Sequence, residues 1–158
     1  MPLIFRPMDE ANARAFISWR YDPPYDYYNI AASAIESLSF FIDPHNAYYS
    51  IGNEQGTLEA FCCFGADAQV PGGDYSTDAL DVGWGVRPDL TGQGHGSAYV
   101  AAILAFAQQT FAPARLRTTV AEFNKRSRRV CEKAGFRQVQ VFSARTDGTR
   151  FVILARDA

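Results

Sequence analysis

The stretch Val82 Gly83 Trp84 Gly85 Val86 Arg87 Pro88 Asp89 Leu90 Thr91 Gly92 Gln93 Gly94 His95 Gly96 Ser97 constrains this chain most. An alternating apolar run leads into alternate glycines and then into an alanine-rich amphipathic segment, which reads as strand, glycine turn and helix. Gly92, Gly94 and Gly96 keep side chains away from the backbone, so a ligand can meet successive N–H groups where the chain enters the helix. A helix start carries unpaired donors and about half a positive charge, which suits a phosphate or pyrophosphate without any basic side chain. The spelling excludes two nucleotide loops. A P-loop needs Lys and then Ser or Thr after its last glycine, whereas Ser97 and Ala98 follow Gly96. A dinucleotide fingerprint needs a glycine where Ser97 stands, and Glu122 lies too far downstream, beyond a further strand, to hold a ribose.

The 158 residues, 47% hydrophobic and 20% charged, predict a single globular domain over 1–158 with a core large enough to fold unaided. A net charge of −2 offers no global attraction to nucleic acid or an anionic membrane. No apolar run approaches the roughly 18 residues that span a bilayer, and residues 1–6 lack the basic-then-apolar order of a signal peptide. The expectation is a cytoplasmic protein with neither a nucleic-acid nor a membrane partner. Cys62, Cys63 and Cys131 form no disulfide framework and match no zinc spacing, so free thiols and no metal are expected.

Taken in order, residues 3–6 predict a strand and residues 9–20 a helix with Ala13, Phe16 and Ile17 on one side. Pro23 and Pro24 stop it, and the aromatic loop that follows holds Tyr25, Tyr28 and Asn29, side chains suited to line a binding cleft or to cap the core from outside. Ser33 opens a short helix ending before Pro44, and residues 46–51 and 56–64 predict an antiparallel pair. Residues 65–78 form a long loop with Asp67, Asp74 and Asp78, either a cover over a cationic acceptor or a solvated excursion. In the strand at 79–87, Asp81, Gly83 and Gly85 share a nearly bare face with room for a ligand. A helix over 97–111 stopped by Pro113, a strand over 115–121 parallel to the preceding one, a basic helix capped by Asn124 and a closing hairpin complete the chain.

Thr91, Gly94 and Gly96 fall on the positions of motif A of the GNAT superfamily of acyl-CoA-dependent N-acetyltransferases, which the chain resembles. Val86 and Pro88 sit where that family ends its fourth strand, and Asn124, Ser127, Glu132, Lys133, Gly135 and Phe136 resemble its motif B. Thr91 departs from the family's Gln or Arg. The resemblance implies an α/β fold, a mixed, mostly antiparallel, splayed sheet of about six or seven strands flanked by about four helices. It also implies acetyl-CoA as co-substrate, held by Trp84, Val86, Gly92, Gln93, Gly94, His95, Gly96, Ser97 and Asn124, with Arg128 from the basic helix toward the 3′-phosphate.

The activity implied is direct attack of a primary amine on the thioester, with the amine on a small molecule or a peptide. Asp81 is the best-placed carboxylate to act as base, directly or through a water, once burial raises its pKa; otherwise it ends a strand or binds a neighbouring basic residue. Cys131 stands where the family commonly has a tyrosine that protonates the leaving thiolate, and Arg128 and Lys133 would lower its thiol pKa. Tyr25 or Tyr28 could replace that acid, or coenzyme A could leave unassisted. The alternative of a different class is a non-catalytic acyl-CoA-binding sensor module. A homodimer is compatible with either.

Overall fold

The computed structural model describes residues 2–158. Its strands are β1 (Ile4–Pro7), β2 (Tyr48–Gly52), β3 (Leu58–Phe64), β4 (Leu80–Val86), β5 (Arg115–Ala121), β6 (Arg137–Ser143) and β7 (Arg150–Asp157). Its helices are α1 (Glu10–Ile17), α2 (Leu38–Ile42), α3 (Gly96–Phe111) and α4 (Lys125–Lys133). The strands follow the order β1-β2-β3-β4-β5-β7-β6 in a mixed α/β, mostly antiparallel open sheet. Two compact units divide the chain, one of residues Met1–Cys63 with Trp84–Gln93, the other of Phe64–Gly83 with Gly94–Ala158.

In the first unit β1, β2 and β3 pair antiparallel, with a bulge at Ile51/Gly52. Asp9 caps α1 by accepting from Asn12 N, so the helix begins one residue later than the sequence suggests, and it closes at Ile17. Phe16 is the centre of this core, with Phe61 stacked on it at 4.4 Å and Phe41 edge-on at 5.1 Å. The helix expected from Ser33 is a 3-10 segment, Ala32–Ser37, followed by the single α-helical turn of α2, and neither buries a side chain. Ile35, Phe40 and Ile42 there are exposed.

In the second unit β4 and β5 pair in parallel at Leu80↔Leu116 and Asp81↔Arg117, β5 runs antiparallel to β7 along its whole length, and β6 and β7 form the hairpin. α3 buries Tyr99, Val100, Ile103, Leu104 and Ala107, whereas Phe111 at its end is exposed. Ala112 ends α3 in the left-handed region just ahead of Pro113. The long loop expected at 65–78 is not a free cover. Arg145 N donates to Pro71 O at 2.8 Å and Asp74 N to the Gln140 side chain at 2.9 Å. Val70 and Tyr75 pack on the cluster of Ala121, Phe142, Ala144, Phe151 and Ile153. The reason is apolar burial: without these loop residues that side of the hairpin would face water.

Candidate active site

The last residues of β4 are fixed by contacts the local sequence does not announce. A Cβ at Gly85 would lie 2.5 Å from Phe61 Cε1, so the bare face expected to admit a ligand is filled there by the Phe61 ring. Tyr21, the first of the aromatic loop's tyrosines, donates its hydroxyl to Val86 O at 2.7 Å. Burial pushes its phenol up to about 12. Trp84 and Val86 are half-buried.

Beyond β4, Pro88–Leu90 form one 3-10 turn, and Arg87 clasps Asp89 through Nε at 2.6 Å and Nη2 at 3.1 Å. Those hydrogen bonds hold the Asp89 carboxyl below its usual range. Gln93 turns its side chain back to Asp89 O at 2.6 Å, and Thr91 Oγ1 donates to Pro88 O. Gly92 and Gly94 take φ values of 71° and 81°, a backbone region that favours glycine. A Cβ on Gly94 would stand in open space. α3 then starts at Gly96, and His95 at its N-cap contributes no side-chain hydrogen bond to the first turn. Sixteen residues of helix therefore begin at an N-terminus that its N-cap side chain does not cap, with open space at Gly94 and the Val130 side chain against Gly96. That is the observation by which a pyrophosphate fits this chain.

Asp81 is 3% exposed and Arg117 5% exposed. Arg117 Nε meets Asp81 Oδ1 at 2.7 Å and Nη2 meets Oδ2 at 2.8 Å, while Gln69 Nε2 donates to Oδ2 at 2.8 Å. Both carboxylate oxygens are thus engaged, so the carboxylate that the sequence offers either as base or as partner of a neighbouring basic residue sits here as a buried ion-pair partner. Arg117 also donates to Thr77 O at 2.7 Å, and the Asp81 hydrogen bonds raise its pKa.

Asn124 caps α4 through Ser127 N at 3.1 Å and is buried. Cys131 is fully buried, and burial, with a smaller contribution from Glu132, pushes its thiol up to about 12. The expected lowering by Arg128 and Lys133 does not occur, because desolvation of the thiolate outweighs surface cations. Arg128 Nη1 donates to Glu122 O at 2.9 Å and borders a shallow cavity of about 650 Å³ with Lys125 and Arg150. In the aromatic loop, Tyr25–Tyr28 form a 3-10 turn with Tyr28 exposed, while Asn29 accepts from Tyr21 N at 2.8 Å, which makes it a strut of its own loop. Among the described residues no three His, Cys, Asp or Glu side chains gather as metal ligands, and no helix is long and apolar enough to cross a membrane.

A mostly antiparallel sheet with one short parallel pairing, and a glycine turn that opens a long helix, is the fold that the resemblance to acetyltransferases implies. A family model for the acetyltransferase (GNAT) domain matches residues 2–137, and the chain belongs to that family. Solved structures share the fold. An acetyltransferase of the GNAT family from Bacillus anthracis is 17% identical, with 99% of this chain and 95% of that one covered and a TM-score of 0.74. The aminoglycoside acetyltransferase AAC(6′)-Ib in complex with coenzyme A is 14% identical, with 99% and 95% covered and a TM-score of 0.75. A spermidine N-acetyltransferase chimera from Vibrio cholerae and hSSAT is 13% identical, with 98% and 95% covered and a TM-score of 0.70. No curated protein matches the sequence.

Proposed function

We propose that this acetyltransferase moves the acetyl group of acetyl-CoA onto a primary amine of a small molecule or peptide. The uncapped start of α3 behind Gly92 and Gly94 carries the reading. Backbone donors of Gly92, Gln93, Gly94, His95, Gly96 and Ser97 would hold the pyrophosphate, and the backbone of Trp84 and Val86 the pantetheine arm. Asn124 would contribute to the cofactor site, and Arg128 would offer a cation toward the 3′-phosphate. The assignment of the glycine turn rests on backbone geometry, and the others on the family resemblance and, for Arg128, on charge.

In the reaction, the amine nitrogen forms a bond to the thioester carbonyl carbon, the C–S bond breaks, and the proton lost by the amine balances the thiolate that departs. A backbone N–H near Trp84 to Val86 would stabilise the intermediate oxyanion. Asp81, held by Arg117, shapes the start of β4 rather than taking the proton, and the Cys131 thiol is too buried to give one. Water then receives the amine proton, and the thiolate is protonated by Tyr25, Tyr28 or solvent. Calorimetric titration with coenzyme A and acetyl-CoA, beside a thiol-release assay against an amine panel, tests this. Binding with turnover is expected, binding without turnover on any amine favours the acyl-CoA sensor, and no binding removes the reading of Gly92 to Ser97.

A further inference from the structure

We propose that Tyr21 is a positioning residue for the edge of β4 that takes the thioester arm, an inference that rests on the acetyl-CoA reading above. The Val86–Arg87 peptide unit is held at both ends. Its carbonyl accepts from the Tyr21 hydroxyl at 2.7 Å, and its N–H, on Arg87, donates to Glu59 O at 2.8 Å. Tyr21 is itself held, since its own N–H donates to Asn29 Oδ1 at 2.8 Å and closes the aromatic loop behind the phenol. The flanks are equally constrained. The Phe61 ring lies where a Gly85 side chain would be, stacked on Phe16, and Arg87 Nη1 reaches Leu58 O at 2.8 Å.

With its own carbonyl and N–H engaged, the Val86–Arg87 unit fixes the backbone that leads into it, so the Trp84 and Val86 backbone would meet an extended, amide-bearing arm without the entropy cost of ordering on binding. Of the ties at Val86–Arg87, the phenol is the one supplied by the acceptor-side loop, 65 residues away in sequence. Removing its hydroxyl leaves a partly buried carbonyl that must turn toward water, and the edge loses its preset orientation. The bonds from Arg87 hold the chain after β4, so the glycine turn keeps its place.

Two probes separate these consequences. Acetyl-CoA uses both the arm and the phosphates, whereas adenosine 3′,5′-bisphosphate has phosphates and no arm. In calorimetric titrations Tyr21→Phe should weaken acetyl-CoA about tenfold and leave adenosine 3′,5′-bisphosphate within about twofold. Asn29→Ala, which keeps the phenol but frees its backbone, should shift the same way by a smaller factor and stands in should Tyr21→Phe not fold. Unchanged acetyl-CoA affinity in the variants would overturn the proposal, and so would parallel weakening of both probes, the mark of general loosening. If the wild-type protein binds neither probe, the acetyl-CoA reading itself has failed.

Discussion

Arg117 meets Asp81 side-on, with Nε and Nη2 on separate carboxylate oxygens at 2.7 and 2.8 Å and both residues almost wholly enclosed. The pair joins the first residues of β4 to β5 at their parallel register, and through Gln69 and Thr77 it also fastens the loop before β4.

Removing one partner of such a pair leaves an uncompensated buried group, so Asp81→Asn should cost about 3–5 kcal/mol in urea unfolding. Asp81→Leu combined with Arg117→Met should recover part of that loss. The folded fraction of Asp81→Asn should still turn over. A stable Asp81→Asn protein with abolished turnover would instead make Asp81 the proton acceptor.

Gly85→Ala places a methyl 2.5 Å from Phe61 Cε1. Overpacking of this kind costs about 1–3 kcal/mol, and Phe61→Leu in the same chain should return most of it. Thermal melts of the two single variants and the double variant measure the coupling, and additive losses would mean that the ring moves aside without help.

Cys62, Cys63 and Cys131 are all buried and form no disulfide. Ellman's reagent at pH 8 should find no fast-reacting thiol in the native protein and three after unfolding. Cys131→Ala should keep turnover within about twofold, at a stability cost of about 1 kcal/mol.

Alkaline pH should weaken the fold. The Cys131 thiol and the Tyr21 phenol are both raised to about 12 in the native state, from 9.0 and 10.0. The unfolded chain therefore gives up these protons first, and their contribution, complete below about pH 9, is lost as the pH climbs toward 12. Urea midpoints measured from pH 8 to 11 should decline, and the decline should shrink when Tyr21→Phe and Cys131→Ala are combined.

Gly94→Ala should do two separable things. A side chain at φ 81° is strained, costing about 1 kcal/mol, and it stands in the approach to the start of α3. Affinity for acetyl-CoA and for adenosine 3′,5′-bisphosphate should fall together, unlike the selective loss expected of Tyr21→Phe. Retained affinity for both would place the phosphates elsewhere.

What the sequence disclosed was what short-range pattern encodes. The strand at Arg115–Ala121, the Asn124 cap, the hairpin around Gly148 and the turn from β4 into α3 each carry their signal within a few residues. The splitting of the second helix into a 3-10 segment and one turn was hidden, because only part of its apolar pattern finds the core: Phe41 packs edge-on against Phe16, while Ile35, Phe40 and Ile42 stay exposed.

At the site, the hidden relationships were pairings across long separations. Asp81 and Arg117 are 36 residues apart, and Tyr21 and Val86 are 65. A carboxylate on a bare strand face looks catalytic until the parallel register supplies an arginine beside it. Tyr21, one of several tyrosines around a proline pair, carries no sign that a strand carbonyl awaits its hydroxyl. Cys131 misleads for a related reason: neighbouring cations are visible in sequence, but the burial that dominates its titration is not.

The segment between β3 and β4 has a practical consequence for anyone cutting, tagging or permuting this chain. Length alone would recommend it as the place to splice in a reporter, yet Val70 and Tyr75 are packed on the hairpin cluster, and a Cβ on Gly72 would meet Ser143 O at 2.9 Å. Cargo inserted there would pry open the interior. The tolerant splice point is the short tip at Asp147 and Gly148, which is exposed and, at Gly148, surrounded by open space.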